Sequence, residues 1–154
     1  MTSDSKNLAS VCLLNPMGLD QYAYAVSKRS VGKEDFDFDL SERVKRARLA
    51  DWRNHWNLAD WMAFHYYKKG GKKGPKKRCS ISLRLHERDL DVLEQDVREG
   101  KLYGYVFRVP VDGKPKGSPD HEFDGICLAC DQEFLKKARQ AIGDGKAVVY
   151  QDWW

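Results

Sequence analysis

The chain has 154 residues, 42% hydrophobic and 32% charged, with five Trp, seven Tyr and six Phe; this suits one domain (1–154) with a real core and excludes compositional disorder. No apolar run approaches the ~18 residues of a membrane span, and the start, MTSDSKNLAS, has neither the basic nor the apolar part of a secretory signal. The formal charge is +4, yet residues 68–78 alone carry +7, leaving −3 for the rest, which favours a local anionic contact over a uniformly basic coat.

In chain order, Leu8–Leu14 and Gln21–Val26 flank the turn signal Asn15-Pro16-Met17-Gly18 and predict an N-terminal hairpin. Residues 28–39 form a charged connector. If it is extended, Asp35, Asp37 and Asp39 share one face and Phe36 and Phe38 anchor the other. Ser41 is a suitable N-cap, and SERVKRARLADWRNHW predicts a helix with Val44, Ala47, Leu49, Trp52 and Trp56 on its apolar side. Arg43, Arg46 and Arg53 would then form an opposite stripe, suited to phosphates or simply to solvent. The tetrapeptide LADW recurs nine residues apart, at Leu49–Trp52 and Leu58–Trp61. One helix would put the copies on opposite faces, so a new element is expected near Asn57.

Residues 61–85, WMAFHYYKKGGKKGPKKRCSISLRL, read as a hairpin with a basic tip. Aromatics suit a pleated surface, Gly70, Gly71, Gly74 and Pro75 break a helix, and Ile81, Leu83 and Leu85 alternate with polar residues. The competing reading runs a helix from Ser41 through Tyr67. Aligning residue n with n + 45 then pairs Ile81 with Ile126, Leu83 with Leu128, Leu90 with Leu135, Gly100 with Gly145 and Tyr105 with Tyr150. This suggests a duplicated hairpin–helix unit, with boundaries 61–105 and 106–154 after an N-terminal block 1–60. Each copy has a strand (Ile81–Leu85; Ile126–Cys130) and a helix with a buried stripe (Leu90, Leu93, Val97; Leu135, Ala138, Ile142). The helix stops at a glycine, and a second strand follows (Leu102–Val109; Ala147–Asp152). The expected fold is α+β: a mainly antiparallel sheet with helices on one face and a ferredoxin-like, split βαβ core, plus the N-terminal hairpin and helix.

Cys12, Cys79, Cys127 and Cys130 are too few and scattered for a secreted disulfide framework, and fit a cytoplasmic setting. Cys127 and Cys130 have metal-ligand spacing, but two further ligands would have to come from Cys12, Cys79 or His121. A strand would send the pair to opposite faces, so no metal site and no cofactor is assigned. His65 or His86 could serve a metal-independent nuclease as general base, although no catalytic fingerprint accompanies them. The expected function is nucleic-acid binding, with Lys68, Lys69, Lys72, Lys73, Lys76, Lys77 and Arg78 on phosphates and Trp61, Tyr66 and Tyr67 stacking on bases. The alternative is a small inhibitor or adaptor that blocks a protein partner. Trp153 and Trp154 are expected to pack back on the sheet.

Overall fold

The computed structural model describes residues 18–73, 80–107 and 125–153. Four strands, β1 (Asp20–Val26), β2 (Arg46–Arg53), β3 (Ser82–Leu85) and β4 (Ala147–Trp153), form one antiparallel sheet in the order β2-β1-β4-β3. Three helices, α1 (Trp56–Lys68), α2 (Glu87–Arg98) and α3 (Gly125–Gly143), complete the α+β fold with two short 3-10 turns, Lys28–Ser30 and Lys101–Gly104. None of the described helices is long and apolar enough to cross a membrane.

The main core joins one face of the sheet (Ala23, Leu83, Leu85, Val148, Tyr150) to all three helices, through residues such as Trp61, Leu90 and Phe134. On the opposite face a smaller cluster forms where Val31, Phe38, Leu40 and Val44 cover Val26, Ala147 and Val149. This alternation follows from the strand period of two. It makes Ala23 and Gln21 inward residues and leaves Tyr22 and Tyr24 on the far face.

Sequence expectations hold for β1, β3, α2 and β4. In α2, Leu90, Leu93 and Val97 are buried as the helical period requires, and the Asp89 carboxylate accepts from the His86 amide at 2.8 Å to cap the first turn. Gly100 and Gly145 follow α2 and α3 with φ of 74° and 80°, where a side chain would be strained. β1 pairs with β2 on one side and β4 on the other, so the N-terminal hairpin expected for it is not the pairing it makes. Leu8–Leu14 lies outside the described residues, as do Cys12, Cys79, His121, Trp154 and the Gly- and Pro-rich stretch 112–120, DGKPKGSPD.

Three expectations are corrected. The stretch predicted as a helix from Ser41 is instead the strand β2. Its pairing with β1 skips Leu49 as a bulge, and Asn54 (φ 60°) closes it, donating to Leu19 O at 2.8 Å and accepting from Leu19 N at 3.0 Å. Conversely, Trp61–Tyr67 is not a hairpin strand but the body of α1. The His55 side chain caps that helix by accepting from the Leu58 amide. Nine of its 13 residues are buried, Asn57, Asp60 and His65 among them, so a helix buried on nearly all sides left no stripe to read. Finally, Ile126–Cys130 lies in α3, and the described part of Leu102–Val109 is a 3-10 turn followed by irregular chain. Two strands of the ferredoxin-like order are therefore absent among the described residues, and the 45-residue echo matches only the helices and their glycine stops. Leu83 and Tyr150 are in strands, whereas Leu128 is helical and Tyr105 irregular.

The connector also departs from the expected extended form. Asp37 takes a left-handed φ of 55°, which sends Phe36 to the main core and Phe38 to the smaller cluster instead of to one side. Phe36 bridges Leu83, Asp37 N donates to Ser82 O at 3.2 Å, and Arg84 N donates to Asp35 O at 2.7 Å. The outer edge of β3 is thus covered. Beyond α1, Gly71 lies so close to the Tyr66 ring that an added Cβ would overlap it. Gly71→Ala is expected to cost about 1–3 kcal/mol in chemical unfolding; an unchanged midpoint would mean that the ring yields freely.

Candidate nucleic-acid interface

The half of the far sheet face nearest Asp20 is not covered by the connector. Tyr22 and Tyr24 are two apart on β1 and so project on the same side. Their rings lie 6.1 Å apart and 20° from parallel. The Arg48 guanidinium sits 5.0 Å from the Tyr22 ring centre and that of Arg46 5.3 Å from Tyr24, both from the neighbouring strand. Arg46 is fixed there, because it donates to the carbonyls of Leu40 (3.2 Å) and Ser41 (2.6 Å). Arg48 is held more loosely: its side chain is 58% exposed, and its ion pair with Asp51 at 3.7 Å is exposed as well.

Register extends this surface across the sheet. Arg53 and Trp153 both pair with Asp20, and Gln151 lies between Tyr22 and Ser82. Paired residues of an antiparallel ladder share a face, so Trp153, 36% exposed, stands on the same side as Tyr22 instead of packing down as expected. The surface thus combines three aromatic rings with Arg46, Arg48 and Arg53, against the carboxylates of Asp20 and Asp51.

The residues singled out from sequence are placed differently from one another. Trp61 and Tyr66 are 1% and 0% exposed. The Trp61 indole donates to Asp96 at 2.9 Å and the Tyr66 hydroxyl to Asp37 at 2.8 Å, so neither ring is available to a base. Tyr67 is half-buried and its hydroxyl donates to Lys73 O. Lys69 is spent internally, 2.6 Å from Asp89, 3.7 Å from Asp35 and 2.8 Å from Arg84 O, and Lys73 Nζ donates to Ser80 O. Lys68 and Lys72 are exposed. Lys76, Lys77 and Arg78 lie outside the described residues.

The histidines are tied into the structure. His65 is 7% exposed with its ring 3.9 Å from that of Trp61, and burial pulls its pKa down to about 4. His86 lies 2.9 Å from the Asp35 carboxylate. His55 uses Nδ1 to accept from the Leu58 amide, so Nε2 carries the hydrogen and donates to Asp131 at 2.9 Å. Asp131 also accepts from Trp52 Nε1 (2.9 Å) and the Tyr103 hydroxyl (3.1 Å), at 2% exposure. This cluster joins β2, α1, the second 3-10 turn and α3, and is closed to a substrate. Among the described residues no group of His, Cys, Asp or Glu side chains is arranged to hold a metal.

Sequence reasoning passed over Tyr22, Tyr24 and Arg48. The alternation of QYAYAV was visible, but the usual preference puts the larger residues inside. Here the small residues Ala23 and Ala25 face the helices and the tyrosines face out. No family model, curated protein or solved structure matches this chain.

Proposed function

We propose that the chain binds single-stranded nucleic acid on the open half of its sheet. The observation that carries this reading is the near-parallel Tyr22–Tyr24 pair flanked by Arg48 and Arg46 on the far strand face, both rings half-buried, with Tyr24 resting against the smaller cluster and Tyr22 beyond it. Four-stranded sheets with two or three exposed aromatics hold unpaired bases by stacking, with sequence tolerance because every base has a π-face. Arg48 supplies a loosely held cation for phosphate, and Arg46 is pre-set by its carbonyl contacts. Lys68 and Lys72 are exposed at and beyond the end of α1, so in this reading they act as an electrostatic extension and not as the stacking site. The reading is of binding without turnover, since His65 is buried and His86 is held by Asp35.

The test is fluorescence anisotropy with short labelled oligo-dT and oligo-U. Tyr22→Ala and Tyr24→Ala are each expected to weaken binding by about 1–3 kcal/mol. Arg48→Ala should reduce the salt slope by about one, and Lys68→Ala with Lys72→Ala should act mainly through the salt dependence. Tyr22→Ala should stay folded, because its side chain is outside both clusters, whereas Tyr24→Ala also removes a contact with the smaller cluster and is read beside its urea midpoint. Unchanged affinity in the two tyrosine variants would overturn the assignment.

A further inference from the structure

The two edges of the sheet are treated differently. β3, four residues long, has its outer edge covered by Asp35–Asp37. β2, with eight residues the longest strand, has no partner along its outer edge among the described residues. Free edges of this length are usually blunted, because unpaired backbone groups invite another strand. Beside the first half of β2 a groove of about 740 Å³ runs against the last turns of α3. Ala47, Leu49 and Ala141 line its floor, while Lys45, Lys137 and Lys146 rim it, opposed by Asp144. Lys137 has only an exposed contact with Glu133 at 3.8 Å, and Lys45 and Lys146 make no ion pair among the described residues.

We propose that the outer edge of β2 and this lysine-rimmed groove form a docking site for an extended acidic segment of a partner protein, added as a fifth strand. Strand addition draws affinity from main-chain hydrogen bonds and specificity from alternate side chains. The apolar floor selects small aliphatic residues at every second position, and the three lysines select carboxylates around them. A second copy of this chain is the poorer occupant, because pairing two β2 edges would bring Lys45, Arg46, Arg48 and Arg53 against their own like charges. The bulge at Leu49 interrupts the edge, so pairing is assigned to Arg46–Arg48, alongside the groove.

The probe is a labelled peptide of alternating Glu and Val, compared with one of alternating Lys and Val. The Glu peptide is expected to bind and to slow amide hydrogen exchange at Arg46–Arg48. Lys137→Glu with Lys146→Glu should weaken it by about ten-fold or more and confer binding of the Lys peptide. The same double variant should keep oligonucleotide affinity within about two-fold in salt-matched buffer, since neither lysine is among the residues of the Tyr22–Tyr24 face. Tyr22→Ala should leave peptide binding intact, so the two readings fail separately. No binding of the Glu peptide, binding without protection in β2, equal affinity in the reversed-charge variant, or a dimer that forms through β2 would each overturn the proposal.

Discussion

Asp131→Ala is expected to lower the unfolding free energy by about 2–5 kcal/mol, because the buried donors that it satisfies are left without their acceptor. The carboxylate is 2% exposed and accepts from Trp52, His55 and Tyr103. Its loss leaves the buried Trp52 and His55 donors facing a cavity, and each unsatisfied buried donor costs about 1–3 kcal/mol. Those donors belong to different elements, so no single side-chain adjustment can satisfy them both. Asp131→Asn keeps the volume but turns an amide N–H₂ toward one of the donors, and should fall between wild type and alanine. Urea unfolding at neutral pH measures both. A loss below about 1 kcal/mol for alanine would mean that water reaches the site and replaces the carboxylate.

Acidification should weaken the fold in two separable steps. Burial against Trp61 pulls the His65 pKa down to about 4, while Asp89 and Asp96 pull the other way and Lys68 and Lys69 reinforce the drop. In the unfolded chain the same imidazole titrates near 6.5. Above pH 6.5 both states are neutral and nothing changes. As pH falls below 6.5 the unfolded chain takes up a proton that the folded one refuses. Stability therefore declines until about pH 4, by about 3 kcal/mol in all. Asp89 acts lower. Burial raises its pKa, but the Lys69 ammonium and the His86 amide outweigh that and hold it below its ordinary 3.8. Its contribution is present above pH 3.8 and is lost only as pH falls through the depressed value. His65→Gln, followed by urea midpoints from pH 7 to pH 3, should flatten the first step and keep the second. An unaltered slope between pH 6.5 and pH 4 would assign that step to other groups.

How far the sequence could be read is clearest at LADW. A boundary near Asn57 was legible, because nine residues cannot keep two copies on one helical face. The types of the elements on either side were exchanged: Leu49–Trp52 lies in strand β2 and Leu58–Trp61 in helix α1. Identical tetrapeptides take different forms because pairing with β1 governs the first and burial on nearly all sides governs the second. Local propensity is weak beside such tertiary terms. Where one face is buried and the other wet, as in α2 and β1, the period was readable. Where burial surrounds the element, as in α1, the signal vanished. For the candidate site, the charge count drew attention to Lys68–Arg78, yet Lys69 turned out to be paired with Asp89, a contact 20 residues away in the chain that no local pattern announces. The tyrosine pair was hidden for a different reason. Which side of an alternating strand faces inward depends on what packs above it, and the three helices come from distant segments.

β4 comes last among the described strands in chain order, yet it lies between β1 and β3 and, among the described residues, is the element that joins them in the sheet. During synthesis the ribosome must therefore deliver residues up to Trp153 before the two halves can zip together. Until then the β1–β2 ribbon and the short β3 have no strand between them and can be held together only through the helices packed on their shared face. Closure of the sheet therefore depends on long chain loops more than on local pairing.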